Sequence, residues 1–288
     1  MLALAGFILL PICVFGVYAI HGGSLGPVLH ALPFEFAMIG GAAIASFLVA
    51  NSSHTVKHTL HDVKKVIAGP KFRKDDYRDL LCLLFRLVRL AKAKGATALE
   101  AHIERPQESA AFQEYPRILG DALAVSLICD YLRMTTMNQN NPHQVEDILG
   151  EELEKVHAEN MHVSHALQST ADALPALGIV AAVLGVIKTM ASINEPPAVL
   201  GGMIGSALVG TFLGVFLAYG LVGPMAAKLK SVYDEERKFY EAIKAVLVAH
   251  LHGQAPQISI ETGRKSLPTS VMPSFFELEE AISGLKPL

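Results

Sequence analysis

Residues 174–193 read LPALGIVAAVLGVIKTMASI, an apolar run that contains one lysine and no carboxylate. About 20 mostly apolar residues suffice for one helix to cross a membrane, so this run predicts a transmembrane helix. Three more stretches qualify: LALAGFILLPICVFGVYAI (2–20), FEFAMIGGAAIASFLVA (34–50) and residues 199–227. The chain is 18% charged, whereas soluble domains are about a quarter charged. We therefore predict an all-α polytopic membrane protein with four transmembrane helices.

The basic residues lie outside these spans. Residues 52–170 carry fifteen Lys and Arg and residues 192–288 carry eight, whereas residues 1–51 carry none. Cytoplasmic segments of membrane proteins are enriched in Lys and Arg. Both termini and the long loop are therefore predicted to be cytoplasmic. The net charge of −3 gives no reason to expect nucleic-acid binding.

The predicted organisation has four parts. Residues 1–51 form the first two spans with a short uncharged loop, HGGSLGPVLHALP, between them. Residues 52–170 form a large helical cytoplasmic domain, residues 171–227 hold the third and fourth spans, and residues 228–288 form a cytoplasmic helix and tail. Apolar residues at i, i+3 and i+4 predict the cytoplasmic helices, with a break at Gly95. The segment 145–174 meets the third span without a breaker, so one long helix is expected.

Motifs for enzymatic chemistry are absent from the sequence. It contains no P-loop and no HExxH. GGSLG (22–26) matches GxSxG, but it lies between two spans rather than on a strand-to-helix turn. His54, His58 and His61 share a helix face crowded by lysines, and no acid or thiol completes a tetrahedral set. The prediction is a non-enzymatic protein without a metal or cofactor.

Glycines recur at small-xxx-small spacing in the fourth span. GGMIG supplies Gly201 and Gly205, and GTFLG supplies Gly210 and Gly214. Such patterns let helix backbones approach closely in a membrane. The contact predicted is either within the four-helix subunit or between subunits of an oligomer, and the two are compatible.

Two prolines and one hydroxyl interrupt the apolar third and fourth spans. Pro175 and Pro224 are either ordinary helix starts or hinges whose freed carbonyls a neighbour must satisfy. Thr211 either bonds back to its own helix or contacts an ion. A carboxylate within a membrane usually marks ion translocation, but these spans have none. Glu35 is expected at the outer edge of the second span, so either the protein conducts no ion or another polypeptide brings the acid.

Six segments together resemble the family of flagellar motor stator subunits that contains the MotA proteins. They are FGVYAIHGGSLG, LEAHIERP, YPRILGDALAVSLICDYLR, DALPALGIVAAVLGVIKTM, GTFLGVFLAYGLVGPMA and PSFFELEEAI. The resemblance extends from the first residues to about Ile282. It implies a bacterial inner-membrane protein that converts ion flow into torque. It also implies a ring, understood as a pentamer, around two copies of MotB, which supply the missing aspartate and the wall anchor.

The resemblance also assigns roles to residues of the ion path. It implies that Pro175 and Pro224 couple ion flow to conformational change and that Thr211 lines the path. Ala182 stands where sodium-driven members of the family carry a threonine. Because a methyl group cannot coordinate a dehydrated sodium ion, protons are the predicted ion and sodium is the less favoured alternative.

The resemblance further implies a contact with the rotor protein FliG. The family carries a basic residue eight positions before the Glu of an LE pair, which here are Lys92 and Glu100. Lys92 keeps the positive charge of the usual arginine but loses its planar fork. Arg89 and Lys94 are close enough in sequence to share the role.

A second class of function stays open on the sequence alone. The chain could be a scaffold or permease-type component of another energised complex, either an ExbB/TolQ-like energiser or a transporter served by a separate ATPase. The stator hypothesis predicts co-purification with a single-span protein that carries a membrane aspartate, whereas the alternative predicts an ATPase partner.

Overall fold

The structure is a computed structural model that describes residues 2–136, 141–286 and 288. Its regular elements are all helical in that part of the chain. The helices are α1 Leu2–Ile20, α2 Leu25–Ala50, α3 Ser53–Asp62, α4 Lys65–Ala68, α5 Lys74–Lys94, α6 Glu100–Ile103, α7 Ala110–Gln113, α8 Pro116–Leu119, α9 Ala122–Thr136, α10 Pro142–Ala191, α11 Pro197–Leu251, α12 Pro256–Lys265 and α13 Phe275–Ser283.

Four of the described helices, α1, α2, α10 and α11, are long and apolar enough to cross a membrane. This confirms the predicted fold class. The side chains of these spans are largely exposed and apolar, for example Ile20, Val49 and Ile187. A helix that is apolar around its whole circumference avoids water only in a core or in lipid. The protein is therefore a membrane protein.

Two spans contain a wide π-helical turn. In α1 this turn covers Ile12–Gly16, directly after Pro11, and in α11 it covers Leu217–Val222, directly before Gly223 and Pro224. A proline lacks the N–H that an α-helix needs in its interior, and a local π turn is one way in which a helix accommodates the missing bond.

The second span is longer than predicted, so the loop expected over residues 21–33 was wrong. Helix α2 already begins at Leu25. Pro27 is its third residue, where the N–H has no partner within a helix in any case. Pro33 lies in the helix interior, where a membrane helix tolerates proline when the freed groups are satisfied locally. Both prolines lie in the segment that was predicted to be a loop.

The chain divides into two compact units. The first comprises residues 1–69 and 159–232, and the second comprises residues 70–158 and 233–288. These boundaries lie beyond the apolar spans, because α3 and α4 follow α2 in the first unit and because α10 and α11 extend past their apolar segments.

The second unit has a buried core around α5. Leu80, Leu83 and Leu87 are fully buried, and the ring of Phe239 from α11 stacks on Phe72 with 3.6 Å between centroids. The predicted break after Lys94 is confirmed, since α5 ends there and Gly95 adopts a φ of 80°. A left-handed φ of this kind carries no steric cost for glycine.

Candidate functional site

Helices α10 and α11 meet at a crossing built on glycines. A Cβ added to Gly214 would lie 2.6 Å from the Leu174 carbonyl oxygen and 2.9 Å from the Gly178 Cα. A Cβ on Gly178 would lie 2.8 Å from the Gly210 carbonyl oxygen. All three neighbouring atoms belong to the backbone, so only glycine allows the two helices to approach this closely. We call this contact the α10–α11 crossing.

The two glycines of GGMIG behave differently from those of GTFLG. Among the described residues, no atom beyond the adjacent residues and the surrounding turns of the same helix lies within 4 Å of a Cβ added to Gly201 or Gly205. Gly210 and Gly214 therefore make the contact within the subunit, whereas Gly201 and Gly205 take no part in it. The sequence left open a contact within the subunit and a contact between subunits. For Gly201 and Gly205 the structure excludes the first, so these two glycines can pack only against another polypeptide or lipid.

The two prolines lie near the same crossing. Pro175 is inside α10, one residue after the Leu174 carbonyl that faces Gly214. It has no N–H to give to the carbonyl of Ala171. The Ala171 Cβ lies 4.0 Å from the position of a Cβ on Gly223, the residue before Pro224. The structure thus brings the backbone irregularities of both helices together.

Thr211 and Ala182 lie beside the crossing and are half-buried. The Ala182 nitrogen is 3.3 Å from the position of a Cβ on Gly210. The Thr211 hydroxyl makes no hydrogen bond to another described residue. Thr189 behaves in the opposite way, because its hydroxyl donates to the Gly185 carbonyl oxygen at 2.9 Å. Thr211 therefore keeps a hydroxyl that is free to bind another group.

Glu35 is the residue that the sequence analysis misplaced. Because α2 begins at Leu25, Glu35 lies within about 4 Å of the helix midpoint along the axis, at 1.5 Å per residue. Only 8% of its surface is exposed. Its Oε2 atom is buried without a hydrogen-bond partner in the described part of the chain and lies 2.8 Å from the position of a Cβ on Gly210.

The predicted rotor-facing residues lie in the second unit on either side of Gly95. Lys92, Lys94 and Glu100 are exposed, and the Lys94 ammonium donates to the Leu288 carbonyl oxygen at 3.0 Å. Arg89 is only half-exposed. Its guanidinium lies over the Phe85 ring, 5.2 Å from the centroid, and its Nη2 is buried without a partner among the described residues. Of the three basic residues predicted to face the rotor, the two lysines are therefore the exposed ones.

One group of side chains in the described residues has the spacing of metal ligands. His143, Glu146 and His252 each offer one ligand atom, and these atoms lie within 4.8 Å of one another. This group is not apparent in the sequence, because tertiary packing brings His252 to the first turn of α10. His54 and His58, by contrast, stack with 4.2 Å between ring centroids and belong to no such described group.

Comparison with known proteins gives matches over nearly the whole chain. The family model described as Motility protein A N-terminal matches residues 4–95, and that of the MotA/TolQ/ExbB proton channel family matches residues 116–242. Motility protein A of Salmonella typhimurium and that of Escherichia coli are each 41% identical over 286 residues, which cover 99% of this chain and 96% of the relative.

A solved structure gives the same result for the fold. The structure of C. jejuni MotAB superposes with a TM-score of 0.76 at 17% identity. The match covers 95% of this chain and 98% of that chain. At this identity the likeness bears on the fold alone.

Proposed function

Because the chain belongs to the Motility protein A family of flagellar stator subunits, we propose that several copies of it form a ring around a single-span partner of the MotB type. The partner supplies a membrane aspartate, and the ring and the partner conduct protons together. A pentamer around two partner chains is the assembly that we propose. The chain lies in the bacterial inner membrane with both termini in the cytoplasm, and it needs no cofactor.

The observation that carries this proposal is the α10–α11 crossing. Neither span has a carboxylate of its own, yet Thr211 presents a free hydroxyl beside the crossing, and Pro175 lies on it. The groups that α10 and α11 themselves offer to an ion path are small or apolar, so these two helices need an acid from outside them, and the partner's aspartate supplies it. A dehydrated metal cation needs several oxygen ligands, and Ala182 offers only a methyl group. Protons therefore suit the path better than sodium.

The energy for movement comes from the ion. One elementary charge that falls through 100 mV releases about 2.3 kcal/mol. Protonation of the partner's aspartate removes a charge from the ring interior. The loss of this charge changes which packing arrangement of α10 and α11 has the lower free energy. A packed contact of this kind switches between discrete arrangements rather than deforming smoothly. The movement reaches the rotor protein FliG through the exposed charges Lys92, Lys94 and Glu100.

The proposal is tested by purification and by swimming. Affinity capture of the full chain from the membranes of its own host should retain a single-span protein with a membrane aspartate. Capture of an ATPase in its place would support the permease-type alternative. Swimming speed should be unchanged when sodium is withdrawn at constant pH. A speed that falls with sodium concentration would contradict proton coupling.

A further inference from the structure

Glu35 has no part in the function proposed so far, although its position in the membrane demands an explanation. It is the eleventh residue of a 26-residue span, about 15 Å from the start of the helix. The hydrocarbon core of a bilayer is about 30 Å thick. The carboxyl group thus lies deep in the membrane, where ionisable groups are costly and mark ion pathways.

The surroundings of Glu35 belong to its own subunit. The carboxyl group is covered by α10 and α11 at the position of Gly210. A Cβ there would meet Glu35 Oε2 at 2.8 Å, the Ala181 Cβ at 3.1 Å and the Ala182 nitrogen at 3.3 Å. No ion pair to Glu35 exists among the described residues. A buried carboxyl group without a partner is stabilised when it binds a cation or a proton.

A cavity leads to this carboxyl group. It has a volume of about 630 Å³, and its lining includes Glu35, His30, Lys188 and Ser206. It also reaches Gly26, nine residues before Glu35 and thus about 14 Å along the helix. Gly26 and Lys188 lie where α2 begins and α10 ends, so the cavity is at the end that carries the short connections. Its polar side chains provide the partners that water in a cavity needs.

We propose that Glu35 is a proton-binding site that this subunit itself contributes to the ion path. A proton from water in the cavity binds a carboxylate oxygen of Glu35 and later returns to water or passes to the next acid. A metal cation would need several oxygen ligands at once, whereas the other atoms nearest to the Gly210 position that Oε2 approaches are a methyl carbon and a backbone nitrogen. This inference rests on the proposed function for its role in conduction, but the binding of a proton by Glu35 does not.

The first test examines the chain alone. Dicyclohexylcarbodiimide is soluble in lipid and modifies protonated carboxyl groups. The full chain in lipid vesicles is treated at neutral pH, and its peptides are analysed by mass spectrometry. The reagent should modify Glu35 and leave Glu195, which is exposed in the connection between α10 and α11, unmodified. An unmodified Glu35 would overturn the proposal.

The second test examines conduction. Vesicles that hold the subunit with its partner are energised, and proton uptake is followed with a pH-sensitive dye. Glu35→Gln keeps the size of the side chain but cannot carry a proton, so uptake should fall by at least about tenfold. Glu35→Asp should retain part of the uptake, and the control Glu195→Gln should retain all of it. Equal uptake by wild type and Glu35→Gln would refute the role of Glu35.

The two failures can be told apart. If the wild-type complex itself takes up no protons, the proposed function fails, and the carbodiimide result then decides whether Glu35 binds a proton. If the wild-type complex conducts and Glu35→Gln conducts equally well, the function stands and the inference about Glu35 is wrong.

Discussion

Replacing Gly214 by alanine should separate α10 from α11. The new Cβ would lie 2.6 Å from the Leu174 carbonyl oxygen, whereas ordinary van der Waals contact begins at 3.4 Å. The Leu174 carbonyl oxygen must therefore move away from the new Cβ by about 0.8 Å to reach ordinary contact distance. The obstructing atoms are backbone atoms of α10, so no side-chain rotation relieves the overlap. The helices must move apart and lose part of their packing.

The cost of this change can be isolated with a matched variant. Overpacking a well-packed contact costs about 1–3 kcal/mol, while alanine stabilises a helix interior relative to glycine by about 1 kcal/mol. Gly205→Ala, in the same helix, gains the higher helix propensity of alanine without overpacking. The reason is that no neighbouring group among the described residues lies within 4 Å of the added Cβ. The difference between the two variants therefore reports the overpacking alone. We expect Gly214→Ala to be less stable than Gly205→Ala by about 1–3 kcal/mol.

The measurement is equilibrium unfolding of the purified full chain in detergent, followed by circular dichroism. The isolated subunit is used so that any contact of Gly205 with another subunit does not enter the comparison. If Gly214→Ala is as stable as Gly205→Ala, the two helices do not make the close backbone contact described here. A further experiment, swimming of cells that carry each variant, should show a defect for Gly214→Ala.

Three other predictions follow from the same structure. Pro175→Ala and Pro224→Ala should insert into the membrane normally but impair motility, because alanine restores regular helical bonding where the irregularities meet; wild-type swimming would exclude both prolines from coupling. Charge reversal at the exposed Glu100 should change the stability of the subunit by no more than about 0.5 kcal/mol but weaken torque, and a compensating reversal on the rotor should restore it; failure of every rotor reversal would count against direct contact. Burial raises the pKa of Cys82 to about 11 and that of Cys129 to about 12, so both thiols should resist iodoacetamide at pH 8 until the protein is denatured; alkylation of the native chain as fast as of the denatured chain would show that they are not buried.

The cysteines also affect stability at high pH. A thiol in the unfolded chain ionises near its ordinary pKa of 9.0, whereas folded Cys82 keeps its proton up to about pH 11. Between these values the unfolded state binds fewer protons than the folded state. The free energy of unfolding should therefore be unaffected by Cys82 below about pH 9 and should fall as the pH rises through this window.

Hydrophobicity and periodicity were sufficient to predict the four membrane spans, but not the two short helices α12 and α13 in the predicted tail. The continuous helix α10 was expected because no breaker separates the amphipathic segment from the apolar run, and the break at Gly95 followed from its position after a charged last turn. The beginning of α2 could not be predicted in the same way. Pro27 and Pro33 have the same local signature in a loop as in a first turn or a packed membrane helix, and only tertiary contacts decide between these structures.

The candidate site was less accessible from the sequence for a related reason. Gly205 and Gly214 have the same spacing pattern, yet only Gly214 meets a neighbouring backbone. Small-xxx-small spacing indicates that another helix can pack closely against this one. It does not indicate which of the glycine-containing faces makes the contact. The group formed by His143, Glu146 and His252 could not be predicted either, because His252 lies more than one hundred residues from the other two along the chain.

Gly210 connects the packing of the helices to the site of Glu35. The position of its missing Cβ is bounded on one side by the Glu35 carboxyl group at 2.8 Å and on the other by the Ala181 methyl group of α10 at 3.1 Å. A proton that binds to Glu35 changes the charge of a group in contact with α11 at the point where α11 also meets α10. If Glu35 binds protons as proposed, the helix separation and the charge of Glu35 depend on each other, because coupling between two sites is reciprocal. A variant that opens the crossing, such as Gly214→Ala, should then also change the rate at which carbodiimide modifies Glu35. An unchanged rate would show that helix separation and proton binding by Glu35 are independent of each other.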